Sequence, residues 1–151
     1  MKNTYDALKL ENQLCFPLYA CSREITKQYK PFLDQLDLTY TQYITMMVLW
    51  DAKAINVCSL GKRLFLDSGT LTPLLKKLEA KGYITRERSV KDERKLIVSL
   101  TDSGAALKQK ALEIPGEMAK CSKLDPEEAA LLYRLLYKML GKQSEGETNA
   151  E

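Results

Sequence analysis

Histidine is absent from the 151 residues, and the four cysteines, Cys15, Cys21, Cys58 and Cys121, stand far apart with no C-x-x-C pair. A zinc finger needs clustered His/Cys ligands and a Ser-His-Asp triad needs an imidazole, so neither suits this chain, and no metal or other cofactor is expected. Long apolar runs are missing too. Nothing approaches the roughly 18 consecutive apolar residues of a membrane span, and Met1-Lys2-Asn3-Thr4-Tyr5-Asp6 lacks the apolar stretch of a secretory signal. These absences predict a soluble cytoplasmic protein, with no membrane partner, whose cysteines start as thiols in a reducing compartment.

Net charge is small, +3, yet it is unevenly spread. Residues 60–99 carry ten Lys/Arg against five acids, which makes that segment +5 and leaves −2 for the remainder. Such a segment is either a solvated charged surface or a face for an anionic partner. The length and an apolar content of 45% suit one core rather than two. One domain is therefore expected over residues 1–142, with 143–151, small and polar, as a disordered tail.

Apolar residues at 10, 14, 18, 21 and 25 predict a first helix from about Leu8 to Tyr29, closed by Pro31, which disfavours helical geometry at Lys30. Pro17 leaves two possibilities: a kink, or a best-ordered helix that begins near Cys15 with Pro17 in its first turn. Thr41 to Trp50 is apolar on nearly every side and reads as a buried second helix. A short extended piece at Ile55-Asn56-Val57 precedes a third helix near Ser59 to Phe65, and Asp67 stands as the N-cap of a fourth. In that fourth helix Leu71, Leu74, Leu75 and Leu78 form one stripe, while Gly69, Pro73 and Lys76 point the opposite way with Thr70, Thr72 and Lys77 at the flanks. Gly82 ends it. Tyr83 to Glu87 and Lys95 to Leu100 read as two strands joined by a charged tip. Thr101 or Asp102 caps a fifth helix running to about Lys120 with a bend at Pro115-Gly116. A sixth opens with Asp125 as N-cap, Pro126 in the first position and Glu127 and Glu128 in the first turn.

Two helices joined by a turn, the second polar outward, followed at once by a basic β-ribbon, form a winged helix-turn-helix, so the fold class is mostly α with a small β-ribbon. The partner is double-stranded DNA. A major groove about 12 Å wide admits a helix of this size; Ser68, Gly69, Thr70, Thr72 and Pro73 would meet the groove, and Lys76 and Lys77 the phosphates. Gly69 permits close backbone approach. Arg86 lies on the wing stem, and at its tip Arg94 can enter the neighbouring minor groove with Asp92 orienting it; a merely solvated hairpin tip is the alternative.

Leu14-Cys15-Phe16 with Leu18-Tyr19-Ala20, Lys27-Gln28-Tyr29-Lys30-Pro31, Leu38-Thr39-Tyr40, Leu66-Asp67-Ser68-Gly69-Thr70-Leu71-Thr72-Pro73, and Arg86-Glu87-Arg88-Ser89 before Asp92-Glu93-Arg94 occur in this order across nearly the whole chain. In these phrases the chain resembles the MarR family, and within it the organic-hydroperoxide-sensing OhrR branch. The resemblance implies a DNA-binding repressor, not an enzyme, that reads a palindromic operator as a homodimer and takes an organic hydroperoxide as its signal. It further implies dimerisation through helices at about 8–30 and 102–142, a DNA-binding part at about 55–100, and a wing arginine at Arg94. Thr41 departs from the pattern, in which Pro often follows the tyrosine.

The signal would act at Cys15. Tyr19, Ser22, Thr26 and Tyr29 fall within about 40° of it on a helical wheel, so the thiol lies on a hydroxyl-rich stripe. Phenolic O–H groups and a nearby helix N-terminus favour the thiolate, the form that attacks a peroxide. The resemblance implies that Tyr29 and Tyr40 bond to the Cys15 sulfur across the dimer, with Tyr19 assisting. It also places Cys121 close to where the two-cysteine type carries its resolving thiol; capping of Cys15 by a small thiol is the alternative. Cys21 and Cys58 read as structural. Two other functions remain open at this point: a repressor released by a reversible small aromatic ligand, and a thiol peroxidase, against which stands the lack of an Arg–Thr activation motif around the cysteine.

Overall fold

A computed structural model describes residues 5–141; the expected tail at 143–151 lies outside the described residues. The chain divides into two compact units, one through Pro115 and one from Gly116 onward, and each is described by itself. In order, two short 3-10 turns lead to α1 (Cys15–Asp34), α2 (Tyr40–Ala52), β1 (Ala54–Asn56), α3 (Val57–Leu64), α4 (Ser68–Ala80), β2 (Ile84–Arg88), β3 (Leu96–Leu100), α5 (Asp102–Ala111), α6 (Ile114–Lys120) and α7 (Pro126–Met139).

The helix starts follow from side-chain caps. Thr39 caps α2 in a capping box with Gln42, Asn56 caps α3, Asp67 accepts the Thr70 N–H at the head of α4, and Thr101 accepts that of Gly104 at the head of α5. Asp125 heads α7 with a second capping box to Glu128 and with Pro126 behind it. At the end of α4 the Gly82 N–H reaches the Glu79 carbonyl (2.8 Å) and the Tyr83 N–H that of Leu78 (3.1 Å). This paired closure needs left-handed backbone, and Gly82 supplies it at φ +76°.

The structure decides one open alternative and differs from the sequence-based expectation in three places. α1 begins at Cys15, which puts Pro17 in the first turn, where no N–H is needed. It then runs through Pro31 to Asp34 instead of closing before it. An interior proline costs roughly 3 kcal/mol, but continuing the helix carries Leu33 into the core, where it is 2% exposed. The fifth expected helix is two: α5 stops at Ala111 and α6 starts at Ile114, because Pro115 cannot donate to the Ala111 carbonyl and its ring would clash with it. The expected two-stranded ribbon is a three-stranded antiparallel sheet ordered β1-β3-β2, in which the short extended piece pairs Ile55 with Val98 across the strand that Arg86 flanks on the other side.

In the first unit the core is built where these elements meet. Met46 and Leu49 of α2, Leu60 of α3, the whole leucine stripe of α4, and Ile84 and Val98 of the sheet are all buried. Among the described glycines, packing is closest at Gly104. A Cβ there would lie 2.1 Å from the Tyr83 carbonyl oxygen and 2.9 Å from a Leu100 methyl, and the Gly104 carbonyl accepts the Trp50 indole N–H at 2.9 Å. Gly104→Ala is therefore expected to destabilise by about 2 kcal/mol or more, lowering the melting temperature by roughly 5 °C. A thermal melt indistinguishable from wild type would show that α5 does not approach the wing base this closely. In the second unit α7 leaves Leu131, Leu132, Leu135, Met139 and Leu140 exposed.

Candidate functional site

Cys15 is the first residue of α1, and its thiol is exposed. No side chain caps this helix start, the Phe16 N–H is taken by the Gln13 carbonyl at 3.3 Å and Pro17 has none to give, so what the helix start offers the sulfur is chiefly the positive end of its dipole. One turn further on, Tyr19 is engaged by its own helix. The Arg23 guanidinium donates to the Tyr19 hydroxyl at 2.8 Å and lies 5.5 Å from the ring centroid, which leaves the phenol O–H able to donate elsewhere.

Tyr29 and Tyr40 come together. Their ring centroids are 4.9 Å apart, joining the far part of α1 to the head of α2, and Tyr43 extends the cluster at 5.8 Å from Tyr29 and 6.1 Å from Trp50. Burial pushes the phenols of Tyr29, Tyr40 and Tyr43 above their ordinary values; the neighbouring tyrosines add to this at Tyr29 and Tyr43. All three stay neutral O–H donors near pH 7. Tyr43 escaped the sequence reading, although its spacing of three from Tyr40 on a helix is the signal that places it in the same cluster.

Within one chain these phenols cannot reach Cys15. Fourteen residues of helix separate Cys15 from Tyr29, a rise of about 21 Å. The shared wheel angle therefore describes one long stripe with the thiol at one end and the tyrosines at the other. Cys121 follows α6 in the second unit and is exposed.

The residues expected to meet the groove lie on the exposed side of α4: Ser68, Gly69, Thr70, Thr72, Pro73, Lys76 and Lys77 are all exposed, opposite the buried leucines. Asp67 stays ionised at the head of this helix, because hydrogen bonds from Thr70 hold its carboxyl below the usual range. At the wing tip the Arg94 N–H donates to Asp92 at 3.2 Å, and the Asp92 carboxylate lies 3.8 Å from the Arg94 Nε, while the Arg94 side chain is 97% exposed. Arg94 also lines an open cleft of about 490 Å³ together with Lys62 and Ser68, so the wing tip and the heads of α3 and α4 face one space. Lys62 is a cation that the sequence reading passed over.

Arg86, expected among the DNA contacts, is engaged by its own chain. Its Nε and Nη2 donate to one Glu79 oxygen at 3.0 and 2.6 Å, and its backbone N–H donates to the other at 3.1 Å. The guanidinium holds the Glu79 carboxyl below the usual carboxylate range, first by hydrogen bonding. Arg86 thus ties β2 to α4 and fixes the wing against the helix it follows.

A family model described as "Transcriptional regulator SarA/Rot" matches residues 27–111. The organic hydroperoxide resistance transcriptional regulator of Bacillus subtilis (strain 168) is 53% identical over 140 residues, covering 93% of this chain and 95% of the relative. Among solved structures, reduced AbfR bound to DNA is 35% identical with a TM-score of 0.75, covering 92% of this chain and 97% of that one. Disulfide-formed AbfR gives 36% identity, a TM-score of 0.61, and coverage of 90% and 92%; AbfR comes from Staphylococcus epidermidis. A mutant of the E. coli regulator MarR complexed with operator DNA gives 26% identity, a TM-score of 0.79, and coverage of 92% and 99%.

Proposed function

The chain belongs to the MarR family of transcriptional regulators, in its OhrR-type branch, and on that premise we propose that it is a dimeric repressor that releases its operator when an organic hydroperoxide oxidises Cys15. The observation that carries this reading is the separation along α1. An exposed thiol opens the helix, and a pair of neutral phenols lies about 21 Å further along the same stripe. An antiparallel second copy of α1 would bring each Cys15 to the other chain's Tyr29 and Tyr40. The uncovered Leu14, Phe16 and Ile25 of this region and the bare apolar face of α7 offer the surface for such a pairing.

Chemically, the Cys15 thiolate attacks one oxygen of the hydroperoxide. The O–O bond breaks, the alkoxide leaves and takes a proton to become the alcohol, and the sulfur is left as sulfenic acid. Phenol O–H groups from the partner would stabilise the attacking thiolate. A second thiol then displaces water from the sulfenic acid to give a disulfide. Cys121 of the other subunit is the proposed partner, and a small cellular thiol the alternative. Because a disulfide holds its Cα atoms within about 7 Å, closing one across the interface repositions the helices that carry it. A dimer reads half-sites roughly 34–36 Å apart, so a shift of a few ångströms between the two α4 helices misaligns one of them. The lower TM-score for the disulfide form of AbfR, 0.61 against 0.75 for the reduced, DNA-bound form, supports a change of chain shape when such a bridge closes.

The direct test is a gel shift of the purified protein on the palindromic DNA upstream of its own coding sequence, with and without cumene hydroperoxide. Retardation that the oxidant abolishes and a reductant restores is expected; a complex indifferent to oxidant would refute the switch. For the second thiol, non-reducing electrophoresis after oxidation should show a dimer band that disappears in Cys121→Ser. A band that persists in that variant assigns the bridge elsewhere, and no band in wild type points to a small-thiol cap.

A further inference from the structure

The expected DNA contacts leave a second feature beside α4 unused. Between the head of α2 and the flank of α4 runs an open groove of about 260 Å³, lined by Thr39, Thr41, Gln42, Thr70, Pro73 and Lys77, with Leu74 as its floor. Its polar groups are unusually complete. The capping box satisfies the Thr39 and Gln42 N–H groups, whereas those of Tyr40 and Thr41 have no acceptor among the described residues. Gln42 is only 3% exposed and its Oε1 is held by the Thr39 N–H, yet its NH2 has no acceptor among the described residues. The amide is held by its oxygen and nine-tenths buried, so its unused donor end faces the open groove it lines, where water or an anion can accept from it. The Thr41 hydroxyl adds a donor, 3.3 Å from that of Thr39, and Lys77 supplies a positive charge. No carboxylate lines the groove; of those nearby in sequence, Asp37 pairs with Lys81, Glu79 with Arg86, and Asp67 is bonded to Thr70.

We infer that this groove seats one backbone phosphate of the DNA, held by the Thr41 hydroxyl and N–H, the Gln42 amide and Lys77, and so fixes how deeply α4 enters the major groove. The inference rests on the DNA-binding reading above and adds α2 to it. A helix some 10–12 Å across fills a major groove about 12 Å wide. Whatever flanks α4 therefore lies over a phosphate wall, and here the flank is a set of N–H and O–H donors with one cation. Contacts of this kind position the protein on the duplex without reading sequence.

Thr41→Glu separates the phosphate role from a structural one. Thr41 is the second residue of α2, where an acid is favoured by the helix dipole, so thermal stability should hold or rise. The same carboxylate would face the phosphate. Binding measured by fluorescence anisotropy should weaken about tenfold or more, and by a similar factor on the operator and on random DNA, because the lost contact is sequence-independent. Thr41→Val, which removes only the hydroxyl, should lose affinity by a few-fold in the same uniform way. Replacing the contacted phosphate with a neutral methylphosphonate should weaken wild type but cost Thr41→Glu nothing further. Unchanged affinity of Thr41→Glu overturns the inference, as does a loss confined to the operator. If wild type itself binds neither DNA, the repressor reading has failed and not the groove alone.

Discussion

Cys15→Ser is expected to bind the operator as tightly as wild type, within about twofold, and to stay bound at every dose of organic hydroperoxide that empties the wild-type complex. Serine differs from cysteine by one atom, and at the first position of α1 a small polar side chain meets no core packing, since the residue is exposed. The fold and the DNA-reading surface are therefore untouched. What is lost is the nucleophile: an alkanol does not reduce a peroxide near pH 7, whereas a thiolate does. The other three cysteines remain as internal controls, because Cys21, Cys58 and Cys121 are also exposed and would each form a sulfenic acid if exposure alone selected the target. Release of Cys15→Ser by the same dose would move the switch to one of them. The enzyme alternative is separated in the same assay, because a sensor consumes about one equivalent of hydroperoxide per Cys15 while a peroxidase continues for as long as thiol reductant is supplied.

Much of this was legible from residue order. The leucine stripe of α4, its Asp67 cap, the Gly82 stop and the Asp125-Pro126 opening of α7 are local signals, and the structure shows each where local chemistry puts it. What the sequence concealed is set at long range. Pro31 was read as a stop because the rule for the residue before a proline is local, whereas the burial of Leu33 that overrides it is tertiary. The third strand could not be counted from three residues, since β1 exists only through its pairing with β3. The ion pair of Arg86 was not legible either, because its bond to Glu79, seven residues back, depends on the turn between α4 and β2. At the proposed redox site the helical wheel placed Cys15 and Tyr29 on one stripe correctly but carried no axial distance, and that distance is what the proposed second chain would bridge.

Arg94→Ala should lower operator affinity by roughly 10- to 100-fold while leaving the melting temperature unchanged. The side chain is 97% exposed and its ion pair among the described residues is with the Asp92 carboxylate at 3.8 Å, so its removal opens no cavity and orphans no buried group. Its backbone N–H still donates to Asp92, and the tip turn keeps the bond from the Lys95 N–H to the Asp92 carbonyl at 2.8 Å, so the wing should retain its shape. On DNA the guanidinium would enter a minor groove where the negative potential is strongest, and a charge-assisted hydrogen bond there contributes about 1.5–3 kcal/mol. Removing one cation that neutralises a phosphate should also flatten the dependence of log affinity on log salt by about one unit. The loss should be larger on the operator than on random DNA, because groove width varies with sequence; this sets Arg94 apart from Thr41, whose loss should be uniform. An Arg94→Ala protein with wild-type affinity and salt slope would mean that the wing tip stays in solvent, and the grip would then have to come from α4 and the α2 groove alone.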